Sequence, residues 1–305
     1  MARANIKNEP NFTRVPKPKS RIWKNIIYYT CGIVMSLIFL FPLLYMISAS
    51  TKSEEMLANQ AGSFLMFIPN FDFTTLFNNY AIVFGDYGIW RYAINSFLYA
   101  LIVIVINVLV NGLAGYVLAK FNFPGKRFFM FIILFLIVVP VETSIIPLYS
   151  VVKNMLGLKG TMSILAVILP PAISIFNIFL FIQFFSAIPK DYEEAARIDG
   201  ASRLKVFFHV ILPLSKPIVA TVAVFCFIGV WNDYLWPTMV LPQAAEGEWP
   251  LYPIQAALMS IQASPGITTG EIMASLVITS IPIFVVYIAA QKYIVQGFGT
   301  AGLKI

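Results

Sequence analysis

The sequence predicts an all-α membrane protein: six transmembrane helices with both termini on the cytoplasmic side. Three observations predict it. Only 11% of the residues are charged and 59% are hydrophobic, against about 25% charged in a soluble domain. Six runs of mostly apolar residues each reach the length of about 20 that an α-helix needs to cross a bilayer. Finally, 17 of the 21 Lys and Arg residues fall on one side of a six-span topology, and positive charge stays inside.

The elements follow in order. Residues 1–25 form a polar, basic tail with seven Lys and Arg residues. The apolar run behind it is too long for the h-region of a signal peptide, so it is read as a retained first span, 26–48. The second span is 92–119. The third, 128–150, carries one acid, Glu142. The fourth is 161–185. The fifth, 217–241, carries one acid, Asp233. The sixth is 272–291, and a cytoplasmic tail, 292–305, closes the chain. In hydrocarbon the backbone must satisfy its own hydrogen bonds, so these runs are helices. They do not alternate as barrel strands do. Prolines at 42, 140, 147, 170, 171 and 282 are expected to kink or interrupt them. Outside lie Lys52 and Arg91, in the long segment 49–91, and Lys153 and Lys159, between the third and fourth spans; a second long outside segment, 242–271, has no Lys or Arg. One transmembrane domain, 26–291, accounts for the chain between its tails.

The loop 186–216 breaks the apolar pattern and falls on the cytoplasmic side. Pro189 suits the first turn of a helix. Asp191, Glu193 and Glu194 follow it, and acids at a helix N-terminus interact well with its dipole. Tyr192, Ala195, Ala196 and Asp199 share one face by their spacing, and the alanines make that face shallow. Gly200 breaks or sharply turns the helix. A second short helix over about 202–210 places Leu204, Phe207 and Phe208 on an apolar side, and Pro213 and Pro217 end the insert. Two readings stand on these residues alone: a docking elbow for a soluble partner, or an amphipathic helix lying on the membrane.

The pattern Glu194-Ala195-Ala196, Gly200, Val210-Ile211-Leu212-Pro213 resembles the signature loop of permease subunits of ATP-binding cassette importers, with Val210 the one departure from it. The stretch Gly229-Val230-Trp231-Asn232-Asp233-Tyr234-Leu235-Trp236-Pro237 is similar to one found in carbohydrate permeases of the maltose type. So is the ending Gln291-Lys292-Tyr293-Ile294-Val295-Gln296-Gly297 with Thr300-Ala301-Gly302-Leu303-Lys304, although Gly299 intervenes. Asn95-Ser96 also fits. The resemblance runs from about residue 26 to the end and is to the six-span, second permease of a pair. It implies a prokaryotic cell-membrane importer subunit. Its partners would be a second permease, two copies of a cytoplasmic ATPase and an extracellular solute-binding protein that delivers a sugar. ATP and magnesium would sit on the ATPase, with no cofactor on this chain. The coupling residues would be Glu194, Ala195, Ala196, Arg197, Asp199 and Gly200. Glu194 would pair with a basic residue of an ATPase groove, the alanines would permit close packing, and Gly200 would permit the turn. Thr300, Ala301, Gly302 and Lys304 would reach the ATPases.

Polar groups within spans are costly in lipid and mark function by default. Asp233 with Trp231 and Asn232 would suit sugar rings and hydroxyls. Equally, the tryptophans would suit an interfacial belt. Glu142, between Pro140 and Pro147, would face an aqueous cavity or bond freed backbone amides. Asn107, Asn111 and Asn177 would line the path or bond helix to helix. His209 is the single histidine and sits in the cytoplasmic loop, so neither a catalytic His pair nor a multi-His metal site is available. No GxxxxGK[ST] phosphate loop occurs. Cys31 and Cys226 lie in apolar runs without metal-ligand spacing. The net charge of +7 is explained by the inside loops and asks for no nucleic acid. An enzyme would need clustered nucleophile, acid–base or ligand groups that the spans lack. A self-sufficient secondary transporter would not need the elbow, and an acidic glycan stays open as the solute.

Overall fold

The computed structural model describes residues 19–72, 76–244 and 247–302, and among these there is helix and no strand. The elements are α1 (Lys19–Ala49), α2 (Glu54–Asn59), α3 (Asn78–Gly85), α4 (Ile89–Lys120), α5 (Lys126–Val138), α6 (Ile145–Ser150), α7 (Ser163–Ala172), α8 (Ile175–Ala187), α9 (Asp191–Ile198), α10 (Arg203–Val206), α11 (Leu212–Leu214), α12 (Lys216–Asn232), α13 (Leu235–Val240), α14 (Ile254–Gln262) and α15 (Thr269–Gly302). Single π-helical turns over Val151–Met155 and Phe207–Ile211 extend α6 and α10.

Among the described residues, three helices are long and apolar enough to cross a membrane: Trp23–Ala49, Ile89–Lys120 and Thr269–Gln291. Three further helix pairs pass the same test together but are sharply bent, and they overlap the other three expected spans. The third bends by 99° between α5 and the 141–155 segment, at Val139-Pro140. The fourth bends by 42° between α7 and α8. The fifth continues from the 203–214 helical segment through an 83° bend into α12 and stops at Asn232, where Asp233 is extended before α13 begins. Interruption near Pro140 and near Pro170-Pro171 agrees with the expectation that prolines kink or break the spans. Proline removes an amide donor and restricts the residue before it, and the unbonded carbonyls need partners. At the two ends, the apolar spans Trp23–Ala49 and Thr269–Gln291 lie close to the expected 26–48 and 272–291, while the helices themselves extend beyond them, α1 from Lys19 and α15 to Gly302.

α4 is the central element. It packs against α7, α8, α12 and α14. It is 32 residues long, about 48 Å at 1.5 Å per residue, and contains no proline. Its polar residues Asn95, Ser96, Asn107 and Asn111 are all buried, so the helix turns its amides inward and its Val, Ile and Leu outward. Gly112 and Gly115 let α8 approach closely. A Cβ on Gly115 would lie 2.5 Å from the Phe181 Cβ and 3.3 Å from the backbone of Ile178 and Ile182. Small residues at helix crossings are the usual device where the surrounding lipid offers no hydrophobic drive to association.

Two main cores lie along α4. One gathers Val83, Ile89, Tyr99, Val103, Trp231 and Trp236. The other, toward Lys120, gathers Tyr116, Phe181, Phe185, Phe207, Ile211 and Val222. The outward surfaces of α1, α4 and α5 expose leucine, isoleucine and phenylalanine throughout, as a lipid-facing surface does.

Candidate coupling site

The site is built on α9. Its first turn holds Asp191, Glu193 and Glu194 and its last turn Arg197, each sign matched to the helix dipole. The helix begins at Asp191, so Pro189 lies just ahead of the first turn. Gly200 has φ +81°. Its N–H donates to Arg197 O (3.0 Å) and the Ala201 N–H to Ala196 O (3.0 Å), the paired bonds of a glycine-terminated helix. Ser202 then caps α10, its Oγ accepting from Lys205 N at 3.4 Å. Helix, left-handed glycine and capped second helix make the elbow expected from the sequence.

The burial of α9 divides its residues. Glu194, Ala195, Arg197, Ile198, Asp199 and Gly200 are exposed, and Ile198 reaches 87%. Ala196 is half-buried and packs on the core beside Phe207. The two alanines thus have different environments: Ala195 is presented outward, and Ala196 seats the helix on its own bundle. His209 bonds only Lys205 O, at 3.2 Å.

Glu193, one residue before the motif glutamate, anchors the elbow. Its Oε2 accepts from the Tyr116 hydroxyl at 3.1 Å. Its Oε1 lies 3.1 Å from Lys120 Nζ, the one ion pair among the described residues, with side chains 14% and 4% exposed. Lys120 Nζ also donates to Ile188 O at 2.6 Å. One ammonium therefore fastens the end of α4, the end of α8 and the start of α9. The Arg203 guanidinium lies 4.5 Å from the centroid of the Phe121 ring, a cation–π contact that adds α10 to the same point. Sequence reasoning missed Glu193 as an anchor. The available signal was its spacing of three from Ala196, which puts both on the inward face.

The residues expected along a solute path do not form one cluster. Asn107 Nδ2 donates to Pro171 O (3.3 Å), and Asn111 Nδ2 donates to Ala172 O (3.1 Å) while its Oδ1 accepts from Ser174 N (3.3 Å). Asn177 Nδ2 donates to Asn107 Oδ1 (3.1 Å). Asn107 and Asn111 thus satisfy backbone groups freed by the α7–α8 break, and Asn177 joins Asn107, so the three buried amides bond helix to helix. Trp231 is buried, donates to Thr279 O at 3.0 Å and stacks on Phe227. It is a core residue joining α12 to α15. Trp236 is likewise buried and donates to Ala166 O at 2.8 Å. Asn232 is exposed, its Oδ1 accepting from Gln255 at 3.3 Å, and Asp233 accepts from Trp236 N at 3.2 Å, capping α13. Glu142 is exposed at the α5 break and bonds none of the freed amides among the described residues. Asn232 and Asp233 remain as polar groups at a helix break. Thr300, Ala301 and Gly302 continue α15, and Lys304 lies outside the described residues.

The opposite end of α4 is also fastened. Asn95 Nδ2 donates to Pro250 O (2.6 Å) and Tyr252 O (3.1 Å), and its Oδ1 accepts from Trp249 Nε1 (3.0 Å). Ser96 Oγ accepts from Ile254 N (2.7 Å), and the Tyr99 hydroxyl donates to Leu251 O (2.8 Å). Segment 249–254 is thereby held along the first three turns of the helix.

Comparison with known proteins agrees with this architecture. Residues 111–299 match the family model described as binding-protein-dependent transport system inner membrane component. The chain is 33% identical over 267 residues to the diacetylchitobiose uptake system permease protein NgcG of Streptomyces coelicolor, covering 86% of this chain and 83% of that one. It is 30% identical over 272 residues to the arabinooligosaccharides transport system permease protein AraQ of Halalkalibacterium halodurans, covering 88% and 93%. A chain of a solved bacterial ABC transporter, involved in the import of the acidic polysaccharide alginate, superposes with a TM-score of 0.75 at 26% identity, covering 92% of this chain and 99% of that one.

Proposed function

Because this chain belongs to the family of binding-protein-dependent transport system inner membrane components, we propose that it forms half of the translocation path for a sugar or oligosaccharide. It is a transporter subunit and not an enzyme. It works in a membrane with a partner permease, an ATPase and a solute-binding protein. The finer reading is a heterodimer of permeases over two ATPase copies, with both termini in the cytoplasm. ATP and magnesium bind the ATPase.

One observation carries the coupling role. The elbow presents Glu194, Ala195 and Ile198 outward while Glu193 and Ala196 hold it to the bundle. A helix lying loosely on a membrane has no reason for a buried ion pair on its inner face. An exposed Ile198 with charges on both sides suits a protein groove. Closure of the ATPases around ATP would push the elbow and shift the permease between two states. Thr300 to Lys304, at the end of α15, would reach the same ATPases. What supports a sugar as the solute is the pair of oligosaccharide permeases among its relatives.

The likeness to the alginate importer favours one second reading, an acidic glycan. Reconstituted complex with its binding protein separates the two. A neutral oligosaccharide that stimulates ATP hydrolysis, where an acidic one does not, supports the first; the reverse supports the second. Purification of the wild type alone, from several mild detergents, would sink both and return attention to a self-sufficient transporter.

A further inference from the structure

We propose that α4 is the rigid transmitter between the elbow and segment 249–254, and that Lys120 and Glu193 are the positioning residues that couple it. The inference rests on the reading of the elbow as the ATPase-docking element. Four observations lead to it. First, the elbow meets the last turns of α4, where Lys120 joins Glu193 and Ile188 O, Arg203 covers Phe121, and the Phe207 ring packs 5.3 Å from that of Tyr116. Second, α4 is the one long described helix without a proline, since α1 contains Pro42 and α15 Pro282. Kinks concentrate at proline, glycine–serine pairs, π-turns and inserted side chains; α4 has no proline or π-turn, and its Gly112 and Gly115 are packed against Phe207 and Phe181, so the helix is suited to carry displacement from one end to the other. Third, its other end holds segment 249–254 through Asn95, Ser96 and Tyr99. Fourth, Gly115 and the amides Asn107 and Asn111 tie its middle to the α7–α8 pair.

Coupling needs a discrete element whose arrangement both sites bias. An ion pair this buried is screened far less than a surface pair, and the bond from Tyr116 fixes the carboxylate's direction. Removing the ammonium leaves the elbow folded through Gly200 and seated by Ala196 and Phe207, yet without the ionic link that ties α9 and the end of α8 to α4. Docking and transmission are then separable.

The test uses the whole complex in lipid, with Cys31→Ser and Ala244→Cys as the reporter, Ala244 being exposed beside the held segment. Maleimide labelling of that cysteine is timed with and without ATP and vanadate. In the parent the rate is expected to change on trapping. Lys120→Met is expected to retain the ATPase on co-purification and lose the change, and Lys120→Arg to restore it. Ser96→Ala with Tyr99→Phe, which leaves the elbow untouched, is expected to lose the change as well. A change that persists in Lys120→Met or in the outer double variant overturns the proposal, as does a parent that shows none. Absence of the ATPase from the parent overturns the importer reading and this inference with it.

Discussion

The two ends of α4 solve the same problem with different chemistry. At the elbow end the contact is ionic and compact, with one ammonium, one carboxylate and one hydroxyl. At the far end it is neutral and spread over Asn95, Ser96 and Tyr99, which bond backbone groups of segment 249–254. A charge-assisted bond is about twice as strong as a neutral one, but a buried pair is costly once broken. The elbow end is therefore all-or-none, whereas the far end is graded and loses one bond at a time.

The largest effect comes from breaking the rod between the two ends. Gly115→Leu drives a side chain into Phe181 and the α8 backbone. Overpacking of one or two methylenes already costs about 1–3 kcal/mol, and here backbone must move. The variant is expected to give no monodisperse peak in detergent chromatography. A normal peak and melting point would show that α4 and α8 separate easily, and the rod would lose its support. Next comes Lys120→Met, which strands Glu193. Breaking a buried pair costs about 3–5 kcal/mol, and the 14% exposure of Glu193 places this one near about 3 kcal/mol. Thermal melting should show it as a clear downward shift. Asn95→Ala at the far end leaves the Trp249 N–H and two carbonyls without their partner. Its cost is about 1–3 kcal/mol for unsatisfied buried groups, less than Lys120→Met. If Asn95→Ala proves the more damaging, the contrast between a compact ionic end and a spread neutral end is wrong.

The sequence made the frame legible and concealed its joints. Six apolar runs are visible because lipid tolerates so few charges, and the elbow is visible because Gly200 and its flanking acids interrupt them. The prolines announce the broken spans but misplace one break. Pro170 and Pro171 lie inside α7, and the chain turns at Ile173-Ser174, where Asn111 supplies the partner. Trp231 was legible as a sugar-facing or an interfacial-belt aromatic, because an aromatic beside amides near a span end suits both, and neither reading announced its burial. Its bond to Thr279 O joins α12 to α15 across a separation no local pattern shows. Glu193 was overlooked for the same reason. Its partners Tyr116 and Lys120 lie more than seventy residues earlier in the chain, and no local pattern announces a contact of that separation.

The smallest expected change in stability belongs to Glu194→Ala, and it tests the comparison most finely. Glu194 and Glu193 are neighbours of the same chemistry with opposite surroundings. Glu194 is exposed, and a surface substitution of this kind stays within about 0.5 kcal/mol. Melting of the isolated chain should not move. Capture of the ATPase on co-purification should nevertheless fall, because the exposed carboxylate is the one available to a basic groove. Glu193→Gln should behave inversely. It keeps an oxygen that accepts from Tyr116 but loses the ionic contact with Lys120, so melting drops while capture persists. If both variants lose the ATPase to the same degree, docking and anchoring are one function, and the two faces of α9 are not separable. If they part as expected, adjacent carboxylates on one short helix have separate roles, with Glu194 meeting the partner and Glu193 making the bundle follow.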